Sequence, residues 1–255
     1  MKIATWNVNS LTVRLPHVLD WLASAKPDAL CLQETKQEDG KFPYDALREA
    51  GYHAIHNGQK TYNGVAIISP HAIESVSTNI AGFEDEQRRV ISATVNGIRL
   101  VCAYIPNGQA VGSDKYQYKL QWLNAFTSWL KQELQQYPRL AVLGDYNIAP
   151  HDIDCHDPQA WQGQVLVSEA ERAAFRQLLS LGLHDGFRLF NQDSGQYSWW
   201  DYRMAAFRRN LGMRIDHILV SDSLKPHCQQ SYIDKSPRKL ERPSDHTPVV
   251  LELAP

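Results

Sequence analysis

Polar side chains able to bind a cation or move a proton stand at the ends of short apolar runs. Asn7 and Asn9 follow Lys2–Trp6, Gln33 and Glu34 follow Ala29–Leu32, Tyr104 and Asn107 follow the run from Ile98, and Asp145 and Asn147 the run from Leu140. Asp216 opens another run within Arg214-Ile215-Asp216-His217, and Asp245-His246 directly precedes the last one. Glu34, Asp145, Asp216 and Asp245, with the amides Asn7 and Asn147, are hard oxygen donors. They suit Mg²⁺ or Mn²⁺, which bind through one or two carboxylates while recruiting substrate phosphate oxygens. Zinc is disfavoured, because neither a CxxC nor an HExxH spacing occurs. His246 is the titratable partner for a phosphoryl group, with a nearby carboxylate to fix its tautomer or hold it charged. The chemistry implied is divalent-metal phosphoester hydrolysis.

Each position also has a plain structural use. Asp145-Tyr146-Asn147 reads equally as an Asx-type turn and Ser244-Asp245-His246 as a strand-entry turn. Glu34 reads as a surface acid, Tyr104 as a core aromatic, and Asn7 and Asn9 as turn formers. Only convergence of the strand ends on one cleft would turn them into a site.

The elements that must position these residues are mostly strands. Lys2–Trp6, Ala29–Leu32, Gly64–Ile68, Val90–Val95, Ile98–Tyr104, Leu140–Leu143, Ile215–Val220 and Thr247–Leu253 are short, mostly rich in Val and Ile, and bounded by Gly, Asn, Asp or Pro. Asn96-Gly97 between two of them is a strong hairpin signal. Leu15, Val18, Leu19 and Leu22 mark one helix, and Leu120, Leu123, Phe126, Leu130 and Leu134 another within Tyr116–Leu134. Ser168 and Glu171 have capping-box spacing ahead of a third, over Ala173–Leu181. Simple βαβ alternation fails after residue 50, so the fold expected is one α/β domain over residues 1–255 with mixed or antiparallel sheets.

Composition agrees with a single large core. The chain has 255 residues, of which 43% are hydrophobic and 21% charged, and a net charge of −2. That balance argues against a basic-tail protein that adheres through global charge. Cys31, Cys102, Cys155 and Cys228 are scattered and are expected to be reduced thiols. The polar N-terminus and the lack of a long apolar window point to a soluble, cytoplasmic protein without a targeting segment.

Eight strings then occur in order: Thr5-Trp6-Asn7-Val8-Asn9-Ser10, Leu32-Gln33-Glu34-Thr35-Lys36, Tyr62-Asn63-Gly64-Val65-Ala66, Gln87-Arg88-Arg89, Ala103-Tyr104-Ile105-Pro106-Asn107-Gly108, Gly144-Asp145-Tyr146-Asn147-Ile148, Arg214-Ile215-Asp216 and Arg242-Pro243-Ser244-Asp245-His246. Together they closely resemble the exonuclease III group of AP endonucleases, within the endonuclease/exonuclease/phosphatase superfamily. The resemblance covers Met1 to Leu253. It implies a four-layer α/β sandwich with two packed mixed, largely antiparallel sheets, and Mg²⁺-dependent hydrolysis of DNA phosphodiesters in base excision repair. Hydrolysis 5′ to abasic sites, removal of 3′ blocks and 3′-to-5′ exonuclease action all fit that pattern, on double-stranded DNA; with no partner-binding arm visible in the sequence, a monomer is expected.

Carried over by position, the resemblance makes Glu34 the main metal ligand with Asn7 nearby, and Asp145, Asn147, Asp245 and His246 complete the candidate metal region. Asp145 would activate or orient water, Asn147 would position it, and Tyr104 would contact the phosphate or leaving group. His246, oriented by Asp216, would stabilise phosphoryl charge. DNA contacts are expected from Arg88, Lys115, Arg203 and Arg214. Trp199, Met213 and Ile215 would wall the pocket for an extruded abasic sugar, and Met213 stands where some relatives carry Trp. Leu166 occupies a position where relatives differ between Gly and bulkier residues, and its bulk is expected to shift the balance among the three activities.

The net charge hides two basic stretches suited to phosphate contacts. Arg203, Arg208, Arg209 and Arg214 lie without an acid in Tyr202–Ile215, and Lys235, Arg238, Lys239 and Arg242 accompany Glu241. A solvated basic loop is the alternative for each. Two competing functions are a superfamily phosphoesterase for a lipid or small phosphodiester, and a DNA-binding relative without catalysis. The first fits the basic stretches poorly, and the second conflicts with a full set of catalytic residue types.

Overall fold

A computed structural model describes residues 1–255. In chain order the elements are β1 (Lys2–Asn7), α1 (Leu11–Ala25), β2 (Ala29–Gln33), α2 (Tyr44–Glu49), β3 (His53–Asn57), β4 (Val65–Ser69), β5 (Glu74–Thr78), β6 (Val90–Val95), β7 (Ile98–Tyr104), α3 (Asp114–Gln136), β8 (Leu140–Asp145), α4 (Pro158–Trp161), α5 (Glu169–Ser180), β9 (Leu183–Asp185), β10 (Trp199–Trp200), β11 (Gly212–Met213), β12 (Asp216–Ser221), β13 (Cys228–Ile233) and β14 (Val249–Leu253).

Two six-stranded sheets pack face to face, ordered β13-β14-β1-β2-β4-β3 and β5-β6-β7-β8-β12-β9. Each is antiparallel except for one parallel pair, β1 with β2 and β7 with β8. Ile3, Cys31, Ile67, Leu100, Leu143 and Leu251 are among the buried residues between the sheets. Helix α1 covers the outer face of the first sheet through Val18, Trp21 and Leu22. Helices α3 and α5 cover the second through Trp122, Phe126, Leu130, Phe175 and Leu178. The result is the expected four-layer α/β sandwich.

Local signals held where they had a specific physical cause. Asn96 and Gly97 take left-handed conformations (φ 49° and 75°) in the turn joining β6 and β7, as the Asn-Gly pair requires. Ser168 and Glu171 cap the N-terminus of α5 reciprocally, each side chain accepting the other's backbone N–H. All four cysteines are unpaired, and no helix is long and apolar enough to cross a membrane.

The two parallel pairs matter most for function. Parallel neighbours leave the sheet at the same edge, so Asn7 lies beside Gln33, and Tyr104 beside Asp145. Antiparallel neighbours enter where these leave: Asp216 opposes Asp145, and the segment before Val249 runs back along β1, where Val249 opposes Thr5. The strand-end residues noted in the sequence are thereby gathered along one edge of both sheets.

Gly144 sets how closely β7 and β8 approach at that edge. A Cβ there would stand 1.9 Å from the Ala103 carbonyl oxygen, which cannot yield without parting the strands. Gly144→Ala is therefore expected to cost roughly 1–3 kcal/mol of stability in urea denaturation and to displace Tyr104 and Asp145 together.

Candidate active site

At the shared edge, Glu34, Asp145 and His246 each offer a ligand atom, and these atoms lie within 4.8 Å of one another. Two carboxylates so close repel, and Asn7 holds them together: its Nδ2 donates to Glu34 Oε2 at 2.5 Å and to Asp145 Oδ2 at 2.8 Å. The Asn7 amide oxygen accepts the Asn9 backbone N–H at 3.0 Å, so Asn7 acts here as a clamp on the acids through its nitrogen. A pair of converging hard acids with an imidazole beside them fits a divalent cation that carries a phosphate oxygen.

Glu34 reaches this point because the chain turns sharply after β2. Glu34 and Lys36 both have positive φ (53° and 54°), and Thr35 between them bonds Gly64 through its backbone. Gly64 is required there: it has φ 96°, and a Cβ would meet Thr35 Oγ1 at 2.0 Å. Lys36 Nζ stands 3.7 Å from Glu34 Oε1 and donates to Asn9 Oδ1 at 2.7 Å.

Behind the acids, Asp216 is fully buried and accepts from His246 Nδ1 at 2.8 Å and from Ser198 Oγ at 2.7 Å. This fixes the imidazole and turns its Nε2 toward Asp145, 3.6 Å away. Burial alone would lower the His246 pKa, but Asp216 first, then Asp145 and Asp245, hold it well above the ordinary imidazole value. Burial pushes Asp145 up to about 7, with Asp216 and Glu34 adding to the rise against the opposing charge of His246. Burial, reinforced by Glu34 and Asp145, also raises the Tyr104 phenol well above its usual value, so it remains a proton donor.

Asn147 follows Asp145 with φ 51°, and its backbone N–H donates to Asp145 Oδ1 at 2.9 Å. Its amide donates to the Ile105 carbonyl at 2.9 Å and accepts from Asn107 Nδ2 at 3.1 Å. Asp245 lies on the flank, outside the tight acid group, with Trp199 Nε1 on Oδ2 at 3.1 Å and Asn9 Nδ2 on Oδ1 at 3.3 Å.

Beside Tyr104 opens a polar cleft of about 570 Å³, lined in part by Asn63, Arg89, Tyr104, Asn107, Lys115 and Tyr118. Lys115 is thus one of the two basic residues that line this cleft. Arg89, rather than Arg88, is the side chain that lines this cleft: its guanidinium lies 4.7 Å over the Tyr104 ring and donates to the Tyr104 carbonyl at 3.1 Å. Arg88 contributes backbone contacts, its N–H donating to Gln59 Oε1 at 2.7 Å. Sequence reading overlooked Arg89, although the Arg-Arg pair had marked the segment, gave Asn9 no role beyond its place at a strand end, and left Lys36 out.

Arg214 requires a correction. Expected to contact DNA, it is only 1% exposed, and its guanidinium donates to Asp154 at 2.7 Å and to Asp185 at 2.7 and 3.1 Å. Arg203 is exposed and forks onto Asp201. Met213 and Ile215 are buried with Leu166 in an apolar cluster against Trp199, so of the expected pocket wall only Trp199 retains partial exposure. Leu166 itself has φ 78°, a left-handed conformation that a side chain resists and Gly accepts.

The chain matches the model of the endonuclease/exonuclease/phosphatase family over residues 4–246 and belongs to that family. Within it, the chain falls in the exonuclease III group: it is 33% identical to exodeoxyribonuclease III of Haemophilus influenzae over 99% of both chains. Among solved structures it resembles the 3′ phosphatase NExo from Neisseria bound to a product DNA hairpin, with a TM-score of 0.98, 48% identity and 99% of each chain covered. It also resembles an AP endonuclease from Archaeoglobus fulgidus, with a TM-score of 0.96, 40% identity and 99% of each chain covered.

Asp185 and Asp154 make Arg214 testable as a structural residue. Burial would raise the Asp185 carboxyl, but Arg214 brings it down to about 2. Asp185 therefore contributes stability that is present above its unfolded value of about 3.9 and is lost as pH falls through the folded value. Arg214→Met leaves Asp185 without its cation and Asp154 with Arg188 alone, an expected loss of roughly 3–5 kcal/mol at neutral pH. In urea denaturation the gap to wild type should narrow as pH is lowered toward 4, because the orphaned Asp185 carboxyl then takes up a proton.

Proposed function

We propose that this protein is a divalent-metal-dependent DNA repair phosphodiesterase of exonuclease III type, acting as a monomeric single domain on duplex DNA at 3′ ends or abasic sites, with Mg²⁺ as its usual ion and Mn²⁺ able to substitute. The observation that carries the reading is the clamp of Asn7 on Glu34 and Asp145, with His246 held beside them by Asp216. Glu34 and Asp145 would hold the ion, with Asn147, Asp245 and His246 around it. When bound it supplies positive charge against the phosphoryl and leaving oxygens and lowers the pKa of water.

The chain's own groups then divide the work. Asp145 is raised to about 7 and lies 3.6 Å from His246 Nε2, which suits it to orient water and accept its proton. His246, kept cationic by Asp216, places charge on a phosphoryl oxygen through Nε2. Tyr104 donates from its protonated phenol to the phosphate or the departing oxygen. Asn147 positions the attacking water, locked in place by Asn107 and Ile105. Lys115 and Arg89 in the adjoining cleft, with Arg88 next to Arg89 in the chain and Arg203 on the exposed loop after Trp200, hold the backbone of the duplex.

Leu166 bears on which end or lesion is taken. With Met213 and Ile215 it fills the space beneath Trp199, where an extruded sugar would need room. Relatives of both kinds exist among the structures this chain resembles, a 3′ phosphatase and an AP endonuclease. Leu166→Gly relieves the positive φ, so it should fold, and it should change the ratio of internal abasic-site incision to 3′-end processing. An unchanged ratio on matched duplexes would exclude Leu166 from selectivity.

The function itself is tested on abasic-site and 3′-phosphate duplexes, with Mg²⁺ and with EDTA. Cleavage or phosphate release is expected only with the metal, whereas hydrolysis of lipid or small phosphoesters without action on DNA would overturn the proposal. Asp145→Asn should lower turnover by at least about 100-fold while duplex binding in a gel-shift assay persists.

A further inference from the structure

Helix α3 sends Lys119 into a fully buried position beneath the site, where it forms an ion pair with Glu171 at the start of α5. All three ammonium protons are committed. Besides Glu171, Lys119 Nζ donates to the Asn147 carbonyl at 2.6 Å and to the Asn107 carbonyl at 3.1 Å. Those two residues also bond each other through their side chains. Lys119 thus holds from behind the backbone of the residue whose N–H donates to Asp145 and whose amide is fixed by Asn107 and Ile105.

Glu171 does the matching work for a third loop. Its Oε1 accepts the Leu166 N–H at 3.0 Å, and its Oε2 accepts the hydroxyl and backbone N–H of Ser168 at 2.5 and 3.3 Å. The Ser168 hydroxyl meets the Tyr116 phenol at 2.7 Å, which returns the network to α3. Neither charge reaches the cleft. Asn147 and Leu166 both keep left-handed backbones, which persist only where surroundings over-determine them.

Burying two charges is an inefficient way to gain stability, because apolar residues of similar volume usually serve as well or better. A pair retained here has a more specific use. We infer that Lys119 and Glu171 are positioning residues for phosphodiester hydrolysis, fixing Asn147 for the chemistry and the Leu166 loop for substrate selection, an inference that rests on the catalytic reading above.

The neutral double variant Lys119→Met/Glu171→Gln avoids an uncompensated buried charge while removing the donors from both carbonyls. With melting transitions confirming that it is folded at the assay temperature, kcat on duplex DNA should fall about 100-fold, the scale of small misplacements of reacting groups, with KM little changed. The same double substitution should cost little more in an Asn147→Ala background, since it acts through that residue. Should the neutral pair not fold, Lys119→Arg keeps the charge balance but moves the donors, and it too should lower kcat without raising KM. Wild-type kcat in the folded variant, or a loss that multiplies independently with Asn147→Ala, would overturn the inference. Failure of the wild-type protein to cleave DNA would instead reject the catalytic reading.

Discussion

The site rests on one amide group. Asn7 Nδ2 bonds Glu34 and Asp145 at once, and these acids belong to different sheets. Two carboxylates within reach of each other repel and would separate if left alone, and Asp145, raised first by its burial, is raised further by the neighbouring Glu34 charge. The clamp keeps them close, and His246 with Asp216 behind it supplies compensating charge. Much of the nearby loop geometry serves to hold these few oxygens in place, including the turn through Glu34, the close approach at Gly64 and the short Trp199–Trp200 strand between Met213 and the His246 segment.

Left-handed backbone recurs around the same point. Asn9, Glu34, Lys36, Asn147 and Leu166 all carry positive φ. Such conformations are tolerated where surrounding bonds over-determine them, and they let side chains leave strand ends at angles a regular strand does not offer. Lys36 shows the benefit: its left-handed backbone brings the ammonium to both Glu34 and Asn9. The arrangement is pre-set in the protein's own hydrogen bonds, which is the condition for electrostatic stabilisation without reorganisation during the reaction.

Much of this was legible in the sequence, for reasons that can be traced. The central strands announced themselves because both faces are buried, and their ends stood out because acids and amides interrupt apolar runs there. β3, β5, β9 and β13 were missed, and they form the four sheet edges, where exposed polar residues dilute the apolar signal. Arg214 was misread because a run of arginines reports charge and not direction. The chain alternates within β11 and the following residues so as to turn that guanidinium onto Asp154 and Asp185, whose distant sequence positions gave no hint of the pairing. Lys119 drew no notice for the same reason, and Glu171 was legible only as the capping-box partner of Ser168 and not as the partner of a lysine on another helix.

That Glu34 and Asp145 come from separate sheets has a thermodynamic corollary. A cation held by both would bind only when the two sheets are docked, so its binding free energy would add to the inter-sheet interface by mass action. The chemical centre would then also be a fastener between the layers. The sheets need not be held in register at that edge by apolar packing alone, and the same edge can remain open and polar enough to admit a nucleic-acid backbone.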